Sequence, residues 1–161
     1  MKKFDEMPDN ARVWIYQINR NLSPEEELEI QREADSFVAN WTAHGSAMDA
    51  AVQIFYHRLI VLAANEEMAQ TSGCGIDKSV KFFQELGKKL NLDFFQRTTV
   101  LYMLDGEWKE SPLHVFWAMR KAKLIQDSTL VLDNTIKSVQ ELKKKWVVKF
   151  EDSWHNEFWS K

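Results

Sequence analysis

The 161 residues include one cysteine, three prolines, five glycines and four histidines. A lone cysteine closes no disulfide within the chain and leaves no resolving thiol for a dithiol mechanism. The histidines, at 44, 57, 114 and 155, share no metal-ligand spacing, and no metal site or cofactor is expected. The longest apolar run, Leu59 to Ala64, is far short of the ~20 residues that span a bilayer. Met-Lys-Lys-Phe-Asp-Glu at the start is followed by no apolar stretch that would make a signal peptide. A net charge of −3 supplies no basic footprint, so neither nucleic acid nor membrane is an expected partner. These absences predict a cytoplasmic protein.

Hydrophobic residues make up 45% and charged residues 28%, ordinary globular usage. The length fits a single domain over 1–161, with a core of about 11–104 and an extension of about 105–161. Arg12 to Gln17 reads as a strand from its aromatic and β-branched content. Ser23-Pro24-Glu25-Glu26 is a helix start: Ser23 as N-cap, Pro24 at the first position and Glu26 closing a capping box. Ile30, Ala34, Phe37, Val38 and Trp41 form its apolar stripe, with His44 in the last turn and Gly45 ending it. Residues 51–64 read as two hairpin strands split near His57-Arg58, or as one bent strand.

A second helix is expected from Asp77 to Leu90, and a strand from Thr98 to Leu104. Asp105-Gly106 signals a type I′ turn into a return strand near Trp108. The first hundred residues therefore follow the ferredoxin-like βαββαβ order, an α+β fold with helices on one face of an antiparallel sheet, followed by a C-terminal helical extension. Ser111-Pro112 predicts another helix start, Thr129 to Leu132 a short strand or turn, and Ile136 to Trp146 a last helix.

The most informative stretch is Thr71-Ser72-Gly73-Cys74-Gly75-Ile76-Asp77. It sets the only thiol among glycines ahead of a helix, where unpaired N–H groups and the helix dipole favour an anion and a lowered thiol pKa. Ser72, Gly73, Cys74, Gly75 and Asp77, with Trp41, are the candidate ligand-binding residues. Cys74 with His44 as base is the candidate catalytic pair. Against this stands the plain reading of Cys74 as a small buried residue in a tight turn. Ser72 to Ser79 also imitates a phosphate loop, but Ile76-Asp77 separate the last glycine from Lys78-Ser79, and Gln70 stands where the first glycine belongs. In the tail, Trp154, Phe158 and Trp159 are candidate partner-binding anchors, or else fold back on their own chain.

Ala11 to Tyr16, Trp41-Thr42-Ala43-His44-Gly45, Ser72 to Val80 and Ser153-Trp154-His155 together resemble a small family of uncharacterised bacterial proteins. That family is found mainly in Bacteroidetes and is often described as "ABC transporter ATPase", a description traceable to the Ser-Gly-Cys-Gly string. The resemblance covers most of the chain, implies a cytosolic bacterial protein and transfers no catalytic role. The expected function is a small non-catalytic binding or scaffold protein, taking an anion, small molecule or protein partner near Cys74. A homodimer is compatible with that reading. The alternatives are a thiol-dependent enzyme using Cys74 and, behind it, an NTPase.

Overall fold

A computed structural model describes residues 3–67 and 71–159. The chain divides into two compact units, one of residues 1–96 with 138–140, the other of 97–137 with 141–161. The expected core-and-extension boundary near 104 thus falls earlier, and the Thr98–Leu104 strand belongs to the second unit.

The first unit contains β1 (Arg12–Gln17), α1 (Pro24–Ala39), β2 (Thr42–Ala43), β3 (Ser46–Ala47), β4 (Asp49–Phe55), β5 (Leu59–Asn65) and α2 (Gly73–Leu90). β1, β5 and β4 lie side by side in that order, antiparallel throughout, with Leu62 opposite both Trp14 and Val52. Alternation along β5 sends Ile60, Leu62 and Ala64 into the core shared with Ile30, Ala34 and Val38 of α1 and Phe83 and Leu86 of α2. Leu59, Val61 and Ala63, pointing the other way, are fully buried too.

The α1 start is as expected. Ser23 Oγ accepts from Glu26 N–H, and the Glu26 side chain accepts from Ser23 N–H. Arg20 clamps the same carboxylate and, with that backbone bond, holds Glu26 well below the usual carboxylate pKa range. Residues 51–64 resolve into a hairpin. Its turn holds Tyr56 and His57 at φ 52° and 61°, a left-handed geometry without glycine. The turn is fixed from outside, because Ile18 N–H donates to Arg58 O and Leu22 N–H to His57 O.

A ferredoxin-like sheet would set a fourth strand against the outer edge of β1, and that expectation is corrected here. Among the described residues, that edge is met by short segments. Gln96 N–H donates to Gln17 O at one end, while Arg12 bridges Ser138 and Val139 N–H donates to Ala11 O at the other. What stands is an α+β protein with antiparallel sheets.

The second unit contains β6 (Thr99–Leu104), β7 (Glu107–Pro112), α3 (Leu113–Lys121), β8 (Leu130–Leu132), most of α4 (Val139–Lys145), β9 (Val147–Lys149) and α5 (Trp154–Trp159). Its sheet runs β7-β6-β8-β9, so the expected helical extension is corrected: three of these strands fall within residues 105–161 beside short helices. Asp105 and Gly106, at φ 52° and 77°, make the predicted hairpin turn. The helix expected at Ser111-Pro112 is present, but it begins at Leu113 with Pro112 as its N-cap residue; Ser111 lies in β7 with its hydroxyl bonded to Tyr102 OH, so α3 has no side-chain cap. Val100, Tyr102, Phe116, Ile125, Val131 and Phe150 form this unit's core. Among the described residues, no helix is long and apolar enough to cross a membrane.

Candidate functional site

Ser72–Asp77 is not a loop ahead of a helix. α2 begins at Gly73, four residues before the expected Asp77, so Gly73, Cys74 and Gly75 form its first turn. Two contacts hold glycines in a helix they otherwise disfavour. Ser72 Oγ caps Gly75 N–H at 3.0 Å, and Trp41 Nε1 donates to Gly75 O at 2.9 Å. Trp41 is 2% exposed, so it braces this turn from within the core and does not face a ligand. Cys74 is exposed, against the expectation of a buried thiol. Space beside the Gly73 Cα is open, and Asp77 is an exposed helical residue. Glu66 Oε2, accepting from Thr71 N–H at 2.6 Å, already sets a carboxylate beside the helix entrance.

His44 is placed differently from expectation. α1 stops at Ala39, with Asn40 at its cap returning its side-chain amide to Ser36 O. His44 and Gly45, at φ 52° and 80°, then form the two-residue turn between β2 and β3. The His-Gly pair is therefore a hairpin tip and not a helix end. His44 is exposed there, and no hydrogen bond among the described residues joins it to Cys74. The candidate nucleophile and base are therefore not joined by a hydrogen bond of the kind that activates a thiol. The imitation of a phosphate loop also dissolves. Lys78 and Ser79 lie within the helix, and the buried Ser79 hydroxyl donates to Ile76 O and pairs with Tyr16 OH.

The tail carries the more distinctive surface. Trp154 is half-buried, its ring 4.1 Å from that of His155, and its backbone N–H donates to Asp133 Oδ2. It packs partly on its own unit, in line with the fold-back alternative, and is less exposed than Phe158 and Trp159. His155 is 2% exposed, packed on Phe116 and bonded through Nδ1 to Ser153 Oγ. Burial pushes its pKa down to about 4, against a smaller upward pull from Asp133. Phe158 and Trp159 stay outside, 62% and 40% exposed. Both stack on Trp117 of α3, at 5.7 and 5.4 Å.

Beside Trp159 lies a cleft of about 550 Å³ lined by Arg120, Lys121, Lys123, Ile125, Gln126 and Asp127 as well. None of these six was singled out from the sequence. The run Arg120-Lys121-Ala122-Lys123 was visible, but it reads equally as ordinary dipole complement at the end of α3. Among the described residues, no group of three His, Cys, Asp or Glu side chains is placed to hold a metal ion. Comparison with protein-family models, with curated proteins and with solved structures gives no match to this chain.

Proposed function

We propose that this chain is a non-catalytic binding or scaffold protein that engages a protein partner through the exposed aromatics of its second unit. The cytoplasmic setting expected from its single cysteine and the shortness of its apolar runs is part of the proposal. One observation carries it: Phe158 and Trp159 are held out of the core yet fixed in place by Trp117. Aromatic side chains fixed in this way lose little conformational freedom on docking, which is the property of binding anchors. The test is affinity capture with the full chain against a Phe158→Glu/Trp159→Glu variant of unchanged unfolding temperature. A species retained by the first and lost by the second supports the reading. Identical retention by both overturns it.

A second reading keeps a small anion at the start of α2. Its favouring observation is the Thr71 hydroxyl, which is buried without a hydrogen-bond partner among the described residues, beside the exposed Gly73 and Cys74. Phosphate that slows alkylation of Cys74 at constant ionic strength supports this reading, and an unchanged rate removes it.

A further inference from the structure

We infer that the surface around Trp159 docks an acidic segment of a partner protein, a peptide in which carboxylates flank an apolar side chain. This rests on the docking reading above and adds the partner's chemistry to it.

The charge of the cleft is the first ground. Arg120 is already committed: Nη1 donates to Ile125 O at 3.0 Å, Nη2 pairs with Asp127, and the guanidinium lies 4.3 Å over the Phe150 ring. That pair neutralises the one carboxylate lining the cleft. Lys121 and Lys123 are left, with no ion pair or hydrogen bond from either side chain among the described residues. Two uncompensated ammonium groups beside an exposed indole suit an anionic occupant with an apolar body.

The backbone adds a second ground. Lys123 sits at φ 64°, the left-handed position just past α3 where glycine fits without strain. Its N–H closes the helix onto Arg120 O. Lysine at this position sets an ammonium on the cleft rim at the cost of an unfavourable backbone conformation.

The apolar surface sets the size of the occupant. Leu124, next in sequence to Lys123, is 59% exposed, and Phe158, next to Trp159, is 62% exposed. Both continue the surface past the cleft, further than a small ligand requires. A long polyanion is disfavoured by the rest of the chain. The first unit carries ten Lys and Arg against fifteen Asp and Glu, while the second carries eleven against nine. The second unit's excess of two positive charges is small beside the several phosphate contacts from which a nucleic acid or anionic bilayer draws its affinity. A short peptide stays within a Debye length, about 8 Å, of the two lysines.

The test uses the full chain and a fluorescein-labelled peptide of about twelve residues, glutamates around a central leucine and phenylalanine, read by anisotropy. Its twin carries glutamine for every glutamate. The acidic peptide should bind at least about tenfold tighter than its twin, and lose about tenfold in Lys121→Glu/Lys123→Glu or as salt rises from about 50 to about 300 mM. This comparison of peptides on the wild-type chain needs no variant to fold. Equal binding of both peptides, lost in Phe158→Ala/Trp159→Ala, overturns the acidic partner and leaves the docking surface standing. Binding of neither peptide, or binding indifferent to Phe158→Ala/Trp159→Ala, overturns both. Tighter binding of a single-stranded oligonucleotide or of phosphatidylserine vesicles overturns the peptide in favour of that polyanion.

Discussion

The two units solve opposite problems with the same residue type. In the first, aromatics close the interior: Phe83 packs on Tyr16, Phe82 and Phe94, Trp14 on Trp41, and Phe37 on Phe82. Its net charge is acidic, and much of its polar chemistry secures helix ends. In the second unit Tyr102, Phe116 and Phe150 close the interior too, but a histidine joins them while Phe158 and Trp159 stand outside, the latter beside a basic cleft. A chain that buries an ionisable ring and exposes apolar ones departs locally from what stability alone favours. Such departures concentrate where a surface has another task. The difference directs attention away from the cysteine and toward the tail.

The largest test of this division pairs two core truncations. Phe83 is 1% exposed in the first unit and Phe116 fully buried in the second. Each change to alanine should cost about 4 kcal/mol of unfolding free energy in urea. Hydrogen exchange then localises the damage: Phe83→Ala should release amides of 13–64, Phe116→Ala those of 99–150. If either variant loosens both sets equally, the chain unfolds as one body and the comparison loses its basis.

Acid should separate the units next. His155 is neutral when folded, with a pKa of about 4 against 6.5 for an unperturbed histidine. The stability of the neutral buried ring is fully present above pH 6.5 and falls as pH drops toward 4, and the loss reaches about 3 kcal/mol below that. The depressed carboxyls of Glu26 and Glu33, in the first unit, contribute above 4.5 and lose that stability only as pH falls below it. The second unit should therefore weaken first, between pH 6.5 and 4.5. His155→Phe should flatten stability across that window. Unchanged acid sensitivity in His155→Phe would assign the effect elsewhere.

A smaller effect is confined to the first unit. A Cβ added at Gly87 would lie 2.5 Å from the Leu92 carbonyl oxygen, a backbone atom that cannot turn aside. Gly87→Ala should cost about 2 kcal/mol, measured by thermal melting. No loss would mean that the Asn91–Leu92 turn yields more freely than its left-handed Asn91, at φ 55°, indicates.

Local chemistry made part of this legible in advance. The capping box at Ser23 and the Asp105-Gly106 turn involve neighbouring residues only, and both stand as read. β1 follows from its aromatic and β-branched content and β4 and β5 from the apolar pattern of 51–64, but such patterns do not name partners, and so β6 was assigned to the wrong sheet. The start of α2 was misplaced because Gly73 and Gly75 are poor helix formers, and the bond that offsets this comes from Trp41, 34 residues away. Tyr56-His57 and His44-Gly45 misled for a related reason. Non-glycine residues at positive φ reflect tertiary ties, such as those of Ile18 and Leu22 to the Tyr56-His57 turn, that no short window contains. The cleft was missed because its lysines look like any helix end until Arg120 is seen to be spent on Asp127.

The smallest effect concerns helix ends, where the units also differ. α2 has the Ser72 hydroxyl on Gly75 N–H, whereas α3 begins after Pro112 with no side-chain cap. Ser72→Ala should cost about 1 kcal/mol, seen as a lowered urea midpoint with unchanged slope. The same variant discriminates between uses of that turn. If Ser72 only caps the helix, the loss is equal with and without phosphate, because no anion competes for the remaining amides. If an anion does bind at Gly73 and Cys74, phosphate stabilises the wild-type chain by mass action, and Ser72→Ala loses more in its presence than in its absence. An equal loss confines the opening of α2 to structure and leaves the aromatic surface of the second unit as the binding region.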